Sequence, residues 1–251
     1  MQKDELLLQK RLIELSELAY QRGIVTYSDF LNLNELNILQ ITPKNMLFSQ
    51  YETFGGYDLS ERQMVAFLPD ALYYDFIYPI TVLKISPLQK KFTDKLSHRD
   101  YLGAIMNLGI ERNKVGDILL LENTAFLFVQ ETLSKYIMEN LTRIKNTTIQ
   151  VAIENENKFS YQPNYEEIKG TIASTRLDSL LSLAYGSSRS KLVTLIETGK
   201  VYVNGKLITT NSYQIKDHEI VSVRGIGRFS YNGIISETKK GRFYVSIYKY
   251  I

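Results

Sequence analysis

The feature that most constrains this chain is how its hydrophobic spacing changes between Pro79 and Ile153. Pro79 to Ile85 is β-branched and apolar, which predicts a strand. Ser97-His98-Arg99-Asp100 has the S-x-x-D form of a capping box and opens a helix that Gly109 ends. Gly116 to Leu121 and Ala125 to Val129 read as strands joined by a turn at Glu122-Asn123-Thr124. Glu131 to Leu141 sets Leu133, Tyr136, Ile137 and Leu141 on one helical face, and Thr147 to Ile153 closes the series as a strand. The order is βαββαβ, which assigns the chain to the α+β class.

That order is the split pattern of a ferredoxin-like or RNA-recognition-motif domain. Such a domain reads RNA with aromatic residues on two central strands. Phe126 and Phe128, two apart on one strand, share a face, but the partner strand Ile80–Ile85 offers no aromatic residue. The two rings are therefore assigned to the core. Upstream, Leu8, Leu12, Leu15 and Leu18/Ala19 mark an amphipathic helix from Asp4 to Gln21 with Gly23 as its stop. Asn34 is expected to cap a short helix through Gln40, and Gln63 to Leu68 reads as a strand closed by Pro69-Asp70. The domain reading is a helical/αβ segment over 1–75, a recognition-motif-like domain over 76–155, a polar connector with room for one strand over 156–172, and a further domain over 173–251.

In that last domain Leu177, Leu180, Leu181 and Ala184 form one helical face, stopped by Gly186. Ser187 or Ser188 can cap a second helix bearing Leu192, Val193, Leu195 and Ile196, stopped by Gly199. Val201-Tyr-Val, Asn204-Gly205 and Lys206-Leu-Ile form the strongest hairpin signal in the chain. Strands follow at Ile220–Val223, Phe229–Ile235 and Arg242–Tyr250, with Lys239-Lys240-Gly241 as the last turn.

Composition narrows the chemistry. The 251 residues contain no cysteine and two histidines, His98 and His218, which excludes disulfides and cysteine nucleophiles and argues against a multi-histidine metal centre. No apolar run approaches the ~18–20 residues that span a bilayer. The charged N-terminus lacks a cleavage site, so a cytoplasmic protein without membrane contact is expected. The net charge of +3 hides a division: residues 170–251 hold 12 Lys+Arg against 5 Asp+Glu, residues 1–169 hold 18 against 22. A basic C-terminal third suits a polyanion.

The placement of the cations supports that reading. Arg189 and Lys191, with Ser190 between them, fall in the first turn of a helix, where free N–H groups and the dipole already favour phosphate. Arg176 begins the preceding helix, Lys200 and Lys206 flank Asn204-Gly205, and Arg224, Arg228, Lys239, Lys240 and Arg242 extend the charge over the terminal strands. All are candidate nucleic-acid-binding residues, and the resemblance drawn below implies that they bind RNA. Lys191, Thr194, Glu197 and Thr198 offer little for reading base edges in a DNA groove, so RNA shape and phosphates fit better. His98 and Arg99 are possible secondary RNA contacts, with Ser97 and Asp100 capping their helix. No cofactor is expected.

Residues 176–224, with Arg-Leu-Asp-x-x-Leu, Ser188-Arg-Ser-Lys, Gly199-Lys-Val-Tyr-Val-Asn-Gly-Lys206 and Asp217-His-Glu-Ile220-Val-Ser-Val223, strongly resemble the alpha-L RNA-binding domain named after the fourth small-subunit ribosomal protein. Gly55-Gly56-Tyr57, Glu61-Arg62, Tyr78-Pro79-Ile80, Ser97 to Ala104, Gly116-Asp117-Ile118, Val223-Arg224-Gly225-x-Gly227-Arg228-Phe229 and Thr238 to Arg242 extend a resemblance to the bacterial YlmH family over nearly the whole chain. The resemblance implies a non-enzymatic protein that binds ribosomal RNA of the large subunit and transfer RNA. It would work with ribosome quality-control factors when tails are added to stalled nascent chains. Nothing in the sequence demands a dimer, so a monomer is expected. Arg176-Leu-Asp178 also occurs in pseudouridine synthases, but the following residues fit the binding domain, and Asp178 is assigned to a cap or a pair with Arg176 or Arg189. His98-Arg99-Asp100 lacks the other kinase motifs, and Gly55-Gly56 lacks the G-x-G-x-x-G context of a methyltransferase. An RNA-modifying enzyme gripping its substrate through the alpha-L domain, and a cell-division adaptor, stand as the alternatives.

Overall fold

In the computed structural model, which describes residues 3–89, 96–154, 161 and 163–251, the leucine stripe forms helix α1 (Lys3–Arg22) and buries Leu12, Leu15 and Ala19. Gly23, at φ +64°, ends it. Strand β1 (Thr26–Tyr27) and helix α2 (Leu33–Ile41) follow. The cap of α2 is Asn32, not Asn34: its Oδ1 accepts from the N–H groups of Asn34 (2.9 Å) and Glu35 (3.1 Å). Glu35 returns the bond to the N–H of Asn32 at 2.7 Å. Glu35 stands three residues after Asn32 and completes the reciprocal box, which a cap at Asn34 could not use. Strands β2 (Gln50–Phe54) and β3 (Met64–Leu68) complete an antiparallel sheet of order β1-β3-β2. Both helices pack on it through Leu12, Leu15, Leu36, Leu39, Val65 and Phe67.

The switching pattern becomes β4 (Ile80–Pro87), α3 (His98–Met106), β5 (Val115–Leu121), β6 (Thr124–Gln130), α4 (Ser134–Asn140), β7 (Arg143–Ile144) and β8 (Thr147–Ile153). Its sheet has the order β5-β6-β4-β8-β7, every neighbour antiparallel. Side chains alternate across a strand. Leu83, Ile85, Leu127 and Val129 therefore face one way and pack with Tyr101, Ile105, Ile137 and Leu141. Ile80, Val82 and Phe128 face the other way and pack against Phe30, Tyr57 and Met64 from the N-terminal segment. Phe128 is fully buried, and Phe126 is partly buried on the same cluster.

A knot of polar groups holds this second layer. Asp117 accepts from the Tyr57 hydroxyl (2.8 Å) and from the N–H groups of Glu61 (2.7 Å) and Arg62 (3.2 Å). The Arg62 guanidinium donates to the carbonyls of Val115 (2.9 Å), Phe30 (3.0 Å) and Arg112 (3.2 Å). The backbone lies so close that a Cβ on Gly56 would fall 2.3 Å from the Phe128 ring, and one on Gly116 2.7 Å from Phe30. Residues Met1–Tyr161 form one compact unit.

The second unit is Gln162–Ile251. The region read as a connector ends in strand β9 (Tyr165–Ile172). Then come α5 (Leu177–Tyr185), α6 (Arg189–Glu197), β10 (Val201–Val203), β11 (Lys206–Leu207), β12 (Ile220–Val223), β13 (Gly227–Glu237) and β14 (Phe243–Tyr250). The sheet order is β11-β10-β12-β13-β14-β9, all antiparallel, and β9 pairs with β14 along eight residues. Asn204 and Gly205 turn the β10–β11 hairpin at φ +47° and +79°, as a two-residue turn of the primed kind requires. The apolar faces of α5 and α6 cover this sheet through Leu177, Leu180, Leu181, Leu192 and Ile196, with Phe229 and Tyr231 beneath.

Candidate nucleic-acid interface

Gly186, in the left-handed conformation at φ +58°, ends α5 and lets α6 begin at Arg189. Arg189, Ser190 and Lys191 thus occupy the exposed first turn of α6, where unpaired N–H groups and the helix dipole attract anions. The Arg189 guanidinium donates to the Ser179 hydroxyl of α5. It also lines a cleft of about 390 Å³ with Ser179, Ser182, Leu183, Thr171 and Arg242. Arg242 arrives from the turn before β14 and donates to the Thr171 carbonyl at 3.3 Å. Two guanidiniums from elements far apart in sequence therefore share one cleft.

Arg176 behaves differently. It sits at the cap of α5, and its Nε and Nη2 each reach an oxygen of Asp178 at 3.1 Å. Asp178 is buried and also accepts from the Ser179 hydroxyl at 3.3 Å. This bidentate pair orients Arg176 and offsets its charge. It places Asp178 in the pairing role expected from the sequence.

The remaining cations are spread along the sheet. Lys200 follows α6, and its carbonyl accepts from the N–H of Arg224 at 2.9 Å, so these two residues are neighbours. The nine residues of α6 put them ~13 Å from Arg189. Asn204 and Lys206 stand at the hairpin tip, at the other end of the three-residue β10. The Asn204 side chain accepts from the N–H of Ile220 at 2.9 Å, which ties the hairpin to β12. Arg228 lies over the Tyr250 ring at 5.7 Å. Lys239 and Lys240 are exposed in the turn at the far end of β13, an 11-residue strand, ~30 Å from Arg228. Arg189 and Arg242 are brought together at one cleft, and the other cations lie elsewhere on the same unit. Sequence reasoning missed the cleft's serines and Thr171, because only the fold brings β9 beside α5.

His98 and Arg99 open α3; both present more than a third of their surface to solvent, and the His98 ring is partly desolvated by its neighbours. Partial burial, with the Arg112 charge next in weight, pushes the His98 imidazole below its ordinary value, against an opposite pull from Asp117. Asp100 caps the helix by accepting from the Ser97 N–H (2.8 Å) and hydroxyl (2.7 Å), and it pairs with Lys145 at 2.7 Å. The sheet face that reads RNA in recognition motifs is covered here by Tyr57, whose ring lies 5.0 Å from that of Phe128. Among the described residues, no cluster of three or more His, Asp or Glu could hold a metal ion, and no helix is long and apolar enough to cross a membrane.

Residues 75–158 match a family model described as a putative RNA-binding domain in YlmH, and residues 175–221 match the S4 domain. A Bacillus subtilis (strain 168) protein named ribosome-associated protein quality control protein P2 is 28% identical over 253 residues, covering 97% of this chain and 95% of its own length. The solved structure of the cell division protein ylmH from Streptococcus pneumoniae superposes with a TM-score of 0.51 at 22% identity, covering 63% of this chain and 95% of that one. That likeness supports the fold.

Proposed function

We propose that this chain, an RNA-binding protein of the YlmH family built on an S4 domain, acts in the cytoplasm as a non-enzymatic monomer. Its targets would be ribosomal RNA of the large subunit and transfer RNA during quality control of stalled nascent chains. The observation that carries the reading is the Arg189–Arg242 cleft at the start of α6. It is a concave, doubly cationic point within a unit that carries the S4 match. Arg189, Ser190 and Lys191 would hold phosphates there, and Lys200, Lys206, Arg224, Arg228, Lys239 and Lys240 would contribute long-range attraction and counterion release. Arg176, held by Asp178, would direct its outer edge to the same backbone. Asn204 would act by shaping the hairpin tip. His98 and Arg99 would be secondary contacts of the first unit. A relative named for ribosome-associated quality control supports the cellular setting.

Arg189→Glu combined with Lys191→Glu tests the reading. Both side chains are exposed, so the fold should persist by circular dichroism. Co-sedimentation with large subunits at moderate salt should be lost. Pelleting equal to wild type would overturn the assignment.

A further inference from the structure

The first unit carries an exposed aromatic patch that neither the RNA site nor the core uses. Between β3 and β4 the chain runs through Tyr73, Tyr74, Phe76 and Ile77, and Tyr73 is 93% and Ile77 79% exposed. The segment is pinned in place. The Val25 N–H donates to the Tyr74 hydroxyl at 3.4 Å, the Tyr27 hydroxyl donates to the Ile77 carbonyl at 2.8 Å, and Phe76 packs on Tyr78 with ring centroids 5.6 Å apart. Tyr20 and Ile24, at the end of α1 and just beyond it, are also exposed, and Ile24 adjoins Val25, which the Tyr74 hydroxyl reaches. Apolar surface gathered and held in this way marks an interaction site.

Charge selects the partner. Residues 45–83 contain Glu52, Asp58, Glu61, Asp70 and Asp75 against one cation, Arg62. The Arg62 guanidinium is already committed to three carbonyls. Asp70 and Asp75 are exposed, Asp70 ahead of the patch and Asp75 within it. Carboxylates in that position repel phosphate, so the tyrosines are poorly suited to stacking on RNA. They suit a guanidinium, which is drawn by the carboxylates and lies flat on aromatic rings. We propose that the Tyr73–Ile77 patch is a docking site for an arginine-bearing segment of a basic protein. The proposal does not rest on the RNA reading of the second unit.

The test uses the full-length protein and fluorescence anisotropy, without ribosomes. The probes are a short labelled peptide of alternating arginine and glycine, its lysine counterpart, and a short uridine oligonucleotide. The arginine peptide should bind at least about twofold more tightly than the lysine peptide, since an exposed guanidinium–aromatic contact is worth about two- to fivefold in all. Tyr73→Ala and, separately, Ile77→Ala should each weaken the arginine peptide several-fold. Asp70→Lys with Asp75→Lys should weaken it at least about tenfold. These side chains are exposed, and circular dichroism would verify the fold. Equal binding of the two peptides, or affinities unmoved by the substitutions, would overturn the proposal. So would loss of oligonucleotide binding on Tyr73→Ala, which would make the patch an RNA surface, or a dimer in sedimentation that Tyr73→Ala dissolves.

Discussion

Gly56→Ala probes how the N-terminal segment is fastened to the middle sheet. Gly56 has φ +100°, and an added Cβ would stand 2.3 Å from Cδ1 and 2.6 Å from Cε1 of Phe128. A non-glycine residue in such a conformation costs about 1–3 kcal/mol. Phe128 is fully buried with Tyr57 against it, so its ring has nowhere to swing, and overpacking of this kind costs about 1–3 kcal/mol more. The expected loss for the first unit is about 2–6 kcal/mol. At about 2–4 °C per kcal/mol for a unit of this size, its melting transition should fall on the order of 10 °C. Differential scanning calorimetry of the full-length protein would register this. Gly23→Ala is the control: Gly23 has φ +64° but nothing within 4 Å of its added Cβ, so only the left-handed backbone cost should appear, about 1–2 kcal/mol. If Gly56→Ala melted within about 2 °C of wild type, the close seating of residues 55–57 on Phe128 would be refuted.

Asp178→Ala should destabilise the second unit by about 1.5–3 kcal/mol in urea unfolding, since it removes the bidentate acceptor of Arg176 from a buried position. A nearly neutral effect would mean that the pair contributes nothing. The hydrogen bond from Lys145, reinforced by those from Ser97, lowers the Asp100 carboxyl to about 2. Its contribution to stability is therefore complete above about pH 4 and is lost as pH falls toward 2. Asp100→Asn should flatten that part of the unfolding-versus-pH curve, and an unchanged curve would count against the interaction. His98, held below its ordinary value, favours the folded state when neutral, so its contribution should fade as pH drops below about 6.5. His98→Asn should remove that slope in the same assay. If Arg189 and Arg224 act as separate phosphate contacts, each alanine variant should reduce the salt dependence of RNA binding by nearly one, and the double variant by the sum.

The elements most legible in the sequence were those with strong local patterning. The β10–β11 hairpin was visible in Val-Tyr-Val-Asn-Gly, and α5 and α6 in their leucine spacing between glycine stops. Strand β2 was missed because it is an edge strand exposed along most of its length, so it shows no in–out alternation. Strand β9 was blurred into the connector because its partner β14 is remote, and Tyr165 to Ile168 read as polar chain. The covering of the middle sheet did leave a trace. In β4 and β6 both alternating sets are apolar, Ile80 and Val82 as well as Leu83 and Ile85, as in strands buried on two sides. The cations were legible in kind, but their grouping was not. Arg242 joins Arg189 only after β14 has paired with β9, and Arg176 loses freedom to an aspartate two residues away.

The pairing of β9 with β14 also bears on how the second unit is made. Ile168 meets Ile247, so the first strand of the sheet waits for one encoded almost eighty positions later. Sheets completed by such distant pairings form slowly, because the intervening chain surrenders its freedom before the ladder repays it. On a translating ribosome, the two helices and the small hairpin can assemble while β9 is still unpartnered. The Arg189–Arg242 cleft would then be the last part of the unit to mature, and nascent copies would pass through a stage with the helices in place and the binding notch half built.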